Sequence, residues 1–132
     1  MIGLDTNVLV RILAADDPVQ TQQAVSFLQD RCSAEVPGFI NCVAVTELVW
    51  VLQSGYEYSR ADIAMALESL LANRNLAIES HAQLAAAIVV YKSTNCDFID
   101  ALIGQINLAR GCKATATFDR KAAKLKGFMR LS

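Results

Sequence analysis

Apolar positions along this chain come in blocks, some very short and others at helical spacing. The first block, Met1-Ile2-Gly3-Leu4, ends abruptly in Asp5-Thr6-Asn7, a carboxylate, a hydroxyl and an amide. Val8 and Leu9 then pair with Ile12 and Leu13 at the i, i+4 spacing of one helix face. The pattern predicts a strand, a sharp polar turn and a helix. Asp16-Asp17-Pro18 stops that helix and starts another. Asp17 is its cap, Pro18 takes the first helical position and Gln20 completes a capping-box pattern. Ala24, Val25, Leu28 and Cys32 mark the inner face of this second helix. Residues 36–40 read as a short strand, with Pro37 near its start, where a missing donor is tolerated.

Between Cys42 and Leu52 only Thr46 and Glu47 are polar, which predicts a helix buried all round, with Gly55 near its end. A lone Glu47 in such a run loses water on folding. Pairing with Arg60 or another base, neutralisation, or a bound cation offsets that cost; the cation is the reading preferred here. Ser59-Arg60-Ala61-Asp62 opens a further helix, with Ile63, Leu67, Leu70 and Leu71 inward. Residues 73–75 turn the chain into a short strand at 76–78. Ser80 with Gln83 caps a helix whose face is Leu84, Ile88 and Tyr91, and His81 reads as a surface residue.

Asp97 and Asp100 are three apart and share one face of the first turn of the next helix. Asp97 is also a natural N-cap. That helix runs through Ala109 and ends at Gly111. Gly104 inside it costs about 1 kcal/mol relative to Ala, which points to a close approach to the sheet. Residues 114–119 repeat the opening theme, a β-like run ending in a hydroxyl and a carboxylate. Residues 120–126 predict a short basic helix and 128–131 a last edge strand. Single strands alternating with helices argue an α/β fold, a parallel sheet with helices on both faces. The length fits one domain, residues 1–132.

Composition changes this picture in three ways. Apolar residues make up 54% and charged residues 19%, against about 25% charged in average proteins. Such a chain has more apolar surface than a monomer of its size easily hides, so an oligomer or a protein partner is expected. The net charge of −1 is split into +6 over residues 110–132 and −7 over residues 1–109. A basic end beside an acidic body suits a polyanionic partner that also meets metal ions. The four cysteines (32, 42, 96, 112) are scattered and His81 is the only histidine, which argues against a zinc site and for a reducing cytoplasm. The apolar start is too short, and is interrupted by Asp5, for a membrane span or a signal segment.

Asp5 and Asp119 each end an expected strand, Asp97 and Asp100 lie at a helix start, and Glu47 lies within a helix. In an open parallel sheet, strand ends and the helix starts that follow share one edge, where ligands bind. Carboxylates crowded there raise one another's pKa unless cations intervene. Hard oxygen ligands favour Mg²⁺ or Mn²⁺, and two such ions can promote phosphodiester cleavage. Thr6, Asn7 and Thr117 are placed to orient ligands or the water through hydrogen bonds.

Asp-Thr-Asn at the N-terminus, Thr-Glu-Leu at 46–48, Asp-Phe-Ile-Asp-Ala-Leu-Ile at 97–103 and Thr-Phe-Asp at 117–119 together resemble the PIN domain. Within it they look most like the VapC-type toxins of bacterial toxin–antitoxin pairs. The resemblance runs from Ile2 to about Leu131. It implies a three-layer α/β/α fold with a twisted parallel sheet of about five strands, and a Mg²⁺- or Mn²⁺-dependent ribonuclease. The family's four acids fall on Asp5, Glu47, Asp100 and Asp119, with Asp97 the extra acid, and its supporting polar positions on Thr6, Asn7 and Thr117. The resemblance also implies a homodimer and a small antitoxin that covers the site. Arg120, Lys121 and Lys124 are the expected phosphate contacts for RNA.

Two other readings stand beside this one. The first is a non-catalytic PIN-like module that binds RNA or a protein partner. The second is a phosphatase with Asp5 as nucleophile, since an apolar strand ending in Asp resembles the haloacid-dehalogenase start. That chemistry wants a second Asp two residues on, where this chain has Asn7.

Overall fold

The computed structural model describes residues 1–132 and divides into two compact units, Met1–Glu79 and Ser80–Ser132. The first unit runs β1 (Ile2–Gly3), α1 (Thr6–Ala14), α2 (Pro18–Arg31), β2 (Gly38–Ile40), α3 (Cys42–Gly55), α4 (Arg60–Ala72) and β3 (Leu76–Ile78). Its strands form a parallel sheet in the order β1-β2-β3, with Ile2 opposite Gly38 and Gly38 opposite Leu76. Gly38 permits this pairing, because a Cβ there would lie 2.9 Å from Leu4 Cδ1.

The helices begin where their caps dictate. Asp5 Oδ1 accepts from Thr6 N at 2.8 Å and opens α1. Asp17 Oδ1 accepts from Gln20 N at 3.0 Å and opens α2. The expected capping box is only half made, because Gln20 Oε1 takes Arg11 Nε at 2.6 Å instead of reaching back. Along α2, Ala24 and Cys32 are buried but Val25 is exposed, so the inner face is narrower than its apolar positions imply. Asn41 Oδ1 accepts from Ala44 N at 2.9 Å and opens α3.

Helix α3 corrects the expectation of all-round burial. Val45, Leu48, Val49 and Leu52 are buried to 1% exposure or less, while Val43 is 75% and Trp50 64% exposed. The helix packs on α1 and α4 through one face, and the stripe Val43-Glu47-Trp50, at i, i+4, i+7, is turned outward. The periodicity obscures this, because two of the three outward residues, Val43 and Trp50, are as apolar as the inward ones.

The second unit runs α5 (His81–Ser93), α6 (Phe98–Ala109), β4 (Thr115–Thr117), a 3₁₀ turn (Ala122–Lys124) and β5 (Phe128–Arg130). Strands β4 and β5 pair in parallel, with Thr115 opposite Phe128. Every strand pairing in the chain is parallel, as expected of this α/β class. The first unit's sheet has three strands and the second unit's has two, fewer in each than the five expected. Strands of two or three residues offer few ladder bonds, so each pairing ends quickly.

Ser80 occupies the N-cap of α5 with φ +55° and no capping bond from its side chain. This corrects the Ser80–Gln83 cap. The basic helix expected over 120–126 contracts to the single 3₁₀ turn. Gly104 makes the close approach its sequence position implied: a Cβ there would lie 2.5 Å from the Phe128 ring of β5. Tyr91 of α5 meets Phe98 of α6 edge-on, ring centroids 5.5 Å apart. No helix is long and apolar enough to cross a membrane.

Candidate active site

Each unit gathers its own acids. In the first, Asp5 ends β1 and starts α1, so its carboxylate sits at the carboxyl end of a strand. One oxygen holds the Thr6 amide and the other is uncommitted. Thr6 is buried, and its hydroxyl donates a long hydrogen bond of 3.5 Å to the Ala44 carbonyl. This ties the start of α1 to the first turn of α3, the helix that carries Glu47. Asp5, Thr6, Asn7 and Glu47 consequently line one cleft of about 230 Å³, together with Arg11 and Tyr56.

Glu47 itself is exposed on the outward stripe of α3 and has no ion-pair partner. Both the desolvation argument and the pairing with Arg60 are thereby corrected: the carboxylate keeps its water and is open to the cleft. Arg11 and Tyr56 are cleft residues that sequence reasoning missed. Arg11 Nη1 lies 3.0 Å from Asp16 Oδ1, and Tyr56 Oη donates to Asp16 Oδ2 at 2.8 Å. The Tyr56 hydroxyl above all, with Arg11 adding, holds the Asp16 carboxyl below its ordinary pKa. Arg11 follows Asn7 by one helical turn, a signal that could have been read. Nothing around Tyr56 marks it in the sequence.

In the second unit, Asp97 stands at the N-cap of α6 but makes no capping bond from its side chain. Its Oδ1 lies 3.6 Å from Lys121 Nζ instead, which corrects the reading of Asp97 as a cap. Asp100, half-buried on the first turn of α6, has its pKa raised. Burial is the first cause, the negative charges of Asp97 and Asp119 add to it, and Lys121 opposes them.

Asp119 moves the other way. Its Oδ1 accepts from Ala122 N at 3.0 Å and Lys121 N at 2.8 Å, and these bonds hold its pKa below the ordinary range. Thr117 Oγ1 accepts from Asp119 N at 3.0 Å and fixes the turn that carries it. Asp119 therefore spends one oxygen on the chain and leaves one free, as Asp5 does. Lys121 is the basic residue tied to these acids, while Arg120 and Lys124 are exposed beyond them.

The raised pKa of Asp100 makes a stability prediction. Folding favours its protonated form, so the ionised carboxylate is a penalty that builds as pH rises from the ordinary value of 3.8 through the raised one. Asp100→Asn is expected to melt a few degrees above wild type at pH 7 without added metal. That margin should close as pH falls toward the ordinary carboxylate range, where wild-type Asp100 is protonated too. Melting curves across pH check this, and a margin that is absent or grows toward low pH would contradict it.

The donors in both units are carboxylate oxygens, the hard ligands that Mg²⁺ and Mn²⁺ take, and a cation would relieve the repulsion at Asp100. The donor chemistry thus fits a divalent ion, although no three His, Cys, Asp or Glu side chains already lie close enough to share one.

Comparison with known proteins adds the following. The family profile described as PIN domain matches residues 2–127. The chain is also 26% identical over 122 residues to the VapC ribonuclease of Aquifex aeolicus (strain VF5), a span of 92% of this chain and 90% of that protein.

Proposed function

This chain belongs to the PIN-domain family, and on that premise we propose that it is a divalent-metal-dependent endoribonuclease, the toxin of a toxin–antitoxin pair. The observation that carries the reading is Asp100, a half-buried carboxyl whose pKa is raised first by burial and then by the negative charges of Asp97 and Asp119. Such crowding suits a cation better than it suits a bare protein surface. The likeness to the VapC ribonuclease supports the choice of RNA.

In this reading residues 1–132 act as one domain, with Asp5, Glu47, Asp100 and Asp119 as the catalytic acids and Asp97 as a further ligand. Bound Mg²⁺ or Mn²⁺ supplies charge neutralisation and an activated water for phosphodiester hydrolysis. Thr6 and Asn7 beside Asp5, and Thr117 beside Asp119, keep those carboxylates oriented. Arg120, Lys121 and Lys124 hold RNA phosphates, which gives affinity without sequence reading. The exposed apolar side chains Val43, Trp50, Met65 and Phe118 offer surface for a second copy and for an antitoxin, and the setting is cytoplasmic.

The second reading is a non-catalytic module that binds RNA or a protein partner. The deciding experiment is cleavage of a mixed RNA pool by purified, antitoxin-free protein with Mg²⁺ or Mn²⁺, with and without EDTA. Cutting that EDTA stops is expected. Folded protein that binds the pool and never cuts would replace the nuclease with the binding module.

A further inference from the structure

A second cleft in the first unit lies between α1 and α2, with a volume of about 470 Å³, within the range of small-molecule sites. Asp5, Asn7 and Arg11 line both it and the cleft that holds Glu47. Its wall also carries Gln20, Gln23 and Phe27, with Leu4, Val8 and Ala24. We propose that this cleft seats one nucleobase of single-stranded RNA next to the scissile phosphate, and that Gln23 and Phe27 set which base is accepted. The proposal rests on the ribonuclease reading and adds to it the sequence discrimination that phosphate contacts lack.

The chemistry of the wall is that of a base-reading site. Single-stranded RNA is read by stacking bases on aromatic rings or guanidinium planes and by hydrogen-bonding their edges. Phe27 supplies a half-buried ring, with the Arg31 guanidinium 5.8 Å from its centroid. The amides of Gln23 and Asn7 are exposed and take no partner in the protein, so each offers a donor and an acceptor. Gln20 has its carbonyl oxygen on Arg11 Nε and keeps its amide N–H groups. Arg11, braced by Gln20, Asp16 and Tyr56, is a cation at the rim common to both clefts, where a phosphate joining base to scissile bond would pass. None of the exposed large apolar residues lines this cleft. A heterocycle fits such a wall, its faces on the apolar side chains and its polar edges on the Gln23 and Asn7 amides.

The test uses the full chain and the four homopolymeric ribotetranucleotides, with affinities measured in EDTA and cut sites mapped by end sequencing with Mn²⁺. Wild type is expected to bind one homopolymer about tenfold tighter than the weakest and to show a base preference next to the cut. Gln23→Ala should flatten that spread. Phe27→Leu, which keeps apolar volume on α2, should weaken all four. Binding with this spread but no cutting would sink the nuclease and leave the base site standing. Cutting with an unchanged preference in both variants would sink the base site and leave the nuclease. Variants that bind RNA like wild type but lose a protein partner would also overturn the proposal, assigning the cleft to that partner.

Discussion

Asp5→Asn and Asp100→Asn are each expected to reduce metal-dependent RNA cleavage more than about 100-fold while circular dichroism stays unchanged. Removing a group that only orients a metal ligand already costs about 10–100-fold, so losing a ligand's charge should cost more. The fold should survive for a local reason. Asn at position 5 still offers an oxygen to the Thr6 amide that Asp5 Oδ1 now caps, and Asn is as good an N-cap as Asp. Asn at position 100 removes a repelled charge and no hydrogen bond. Asp97→Asn should lose less, since Asp97 is exposed and already shares its charge with Lys121 at 3.6 Å. Initial rates on one RNA at saturating Mn²⁺ measure all three. Asp5 and Asp100 belong to different units, so a comparable loss at both would mean that the two acid sets serve one activity. A wild-type rate in either variant would remove that residue from the catalytic set.

Much of the site was legible because it is built from chain-local devices. Asp5 and Asp119 each follow a short β run, and in each case one carboxylate oxygen closes the turn just beyond it. A small acceptor is needed at that point, so the sequence shows the turn and marks the acid there as a candidate. The acids at 97 and 100 were legible from helical spacing, but not their division of labour. Whether Asp97 caps α6 depends on its rotamer, and its Oδ1 lies instead near Lys121, 24 positions along the chain. Glu47 is not the desolvated carboxylate that the sequence suggests. Its neighbours in sequence are apolar, yet the face it shares with Val43 and Trp50 packs against nothing in its own unit. Tyr56 reaches Asp16 and Arg11 from 40 and 45 positions away, and a local pattern carries no trace of those contacts.

The same helix gives the sharpest contrast in stability. Leu48→Ala is expected to destabilise the protein by about 2–5 kcal/mol. Leu48 is fully buried on the inward face of α3 between Val45 and Leu52, and truncating it removes buried methyl groups and leaves a cavity. Trp50→Ala, two residues on and larger, should change stability by no more than about 0.5 kcal/mol, because its side chain is 64% exposed and little of it is withdrawn from water on folding. Urea melts of both variants at low protein concentration measure the difference. A helix buried all round, as its composition alone implies, predicts the opposite order, since a truncated tryptophan would cost at least as much as a truncated leucine. Repeating the melts at higher concentration separates a second possibility. If a second copy covers the stripe of Val43, Glu47 and Trp50, wild-type stability rises with concentration by mass action and Trp50→Ala loses that rise. The penalty of Leu48→Ala, which belongs to the fold itself, should be the same at both concentrations.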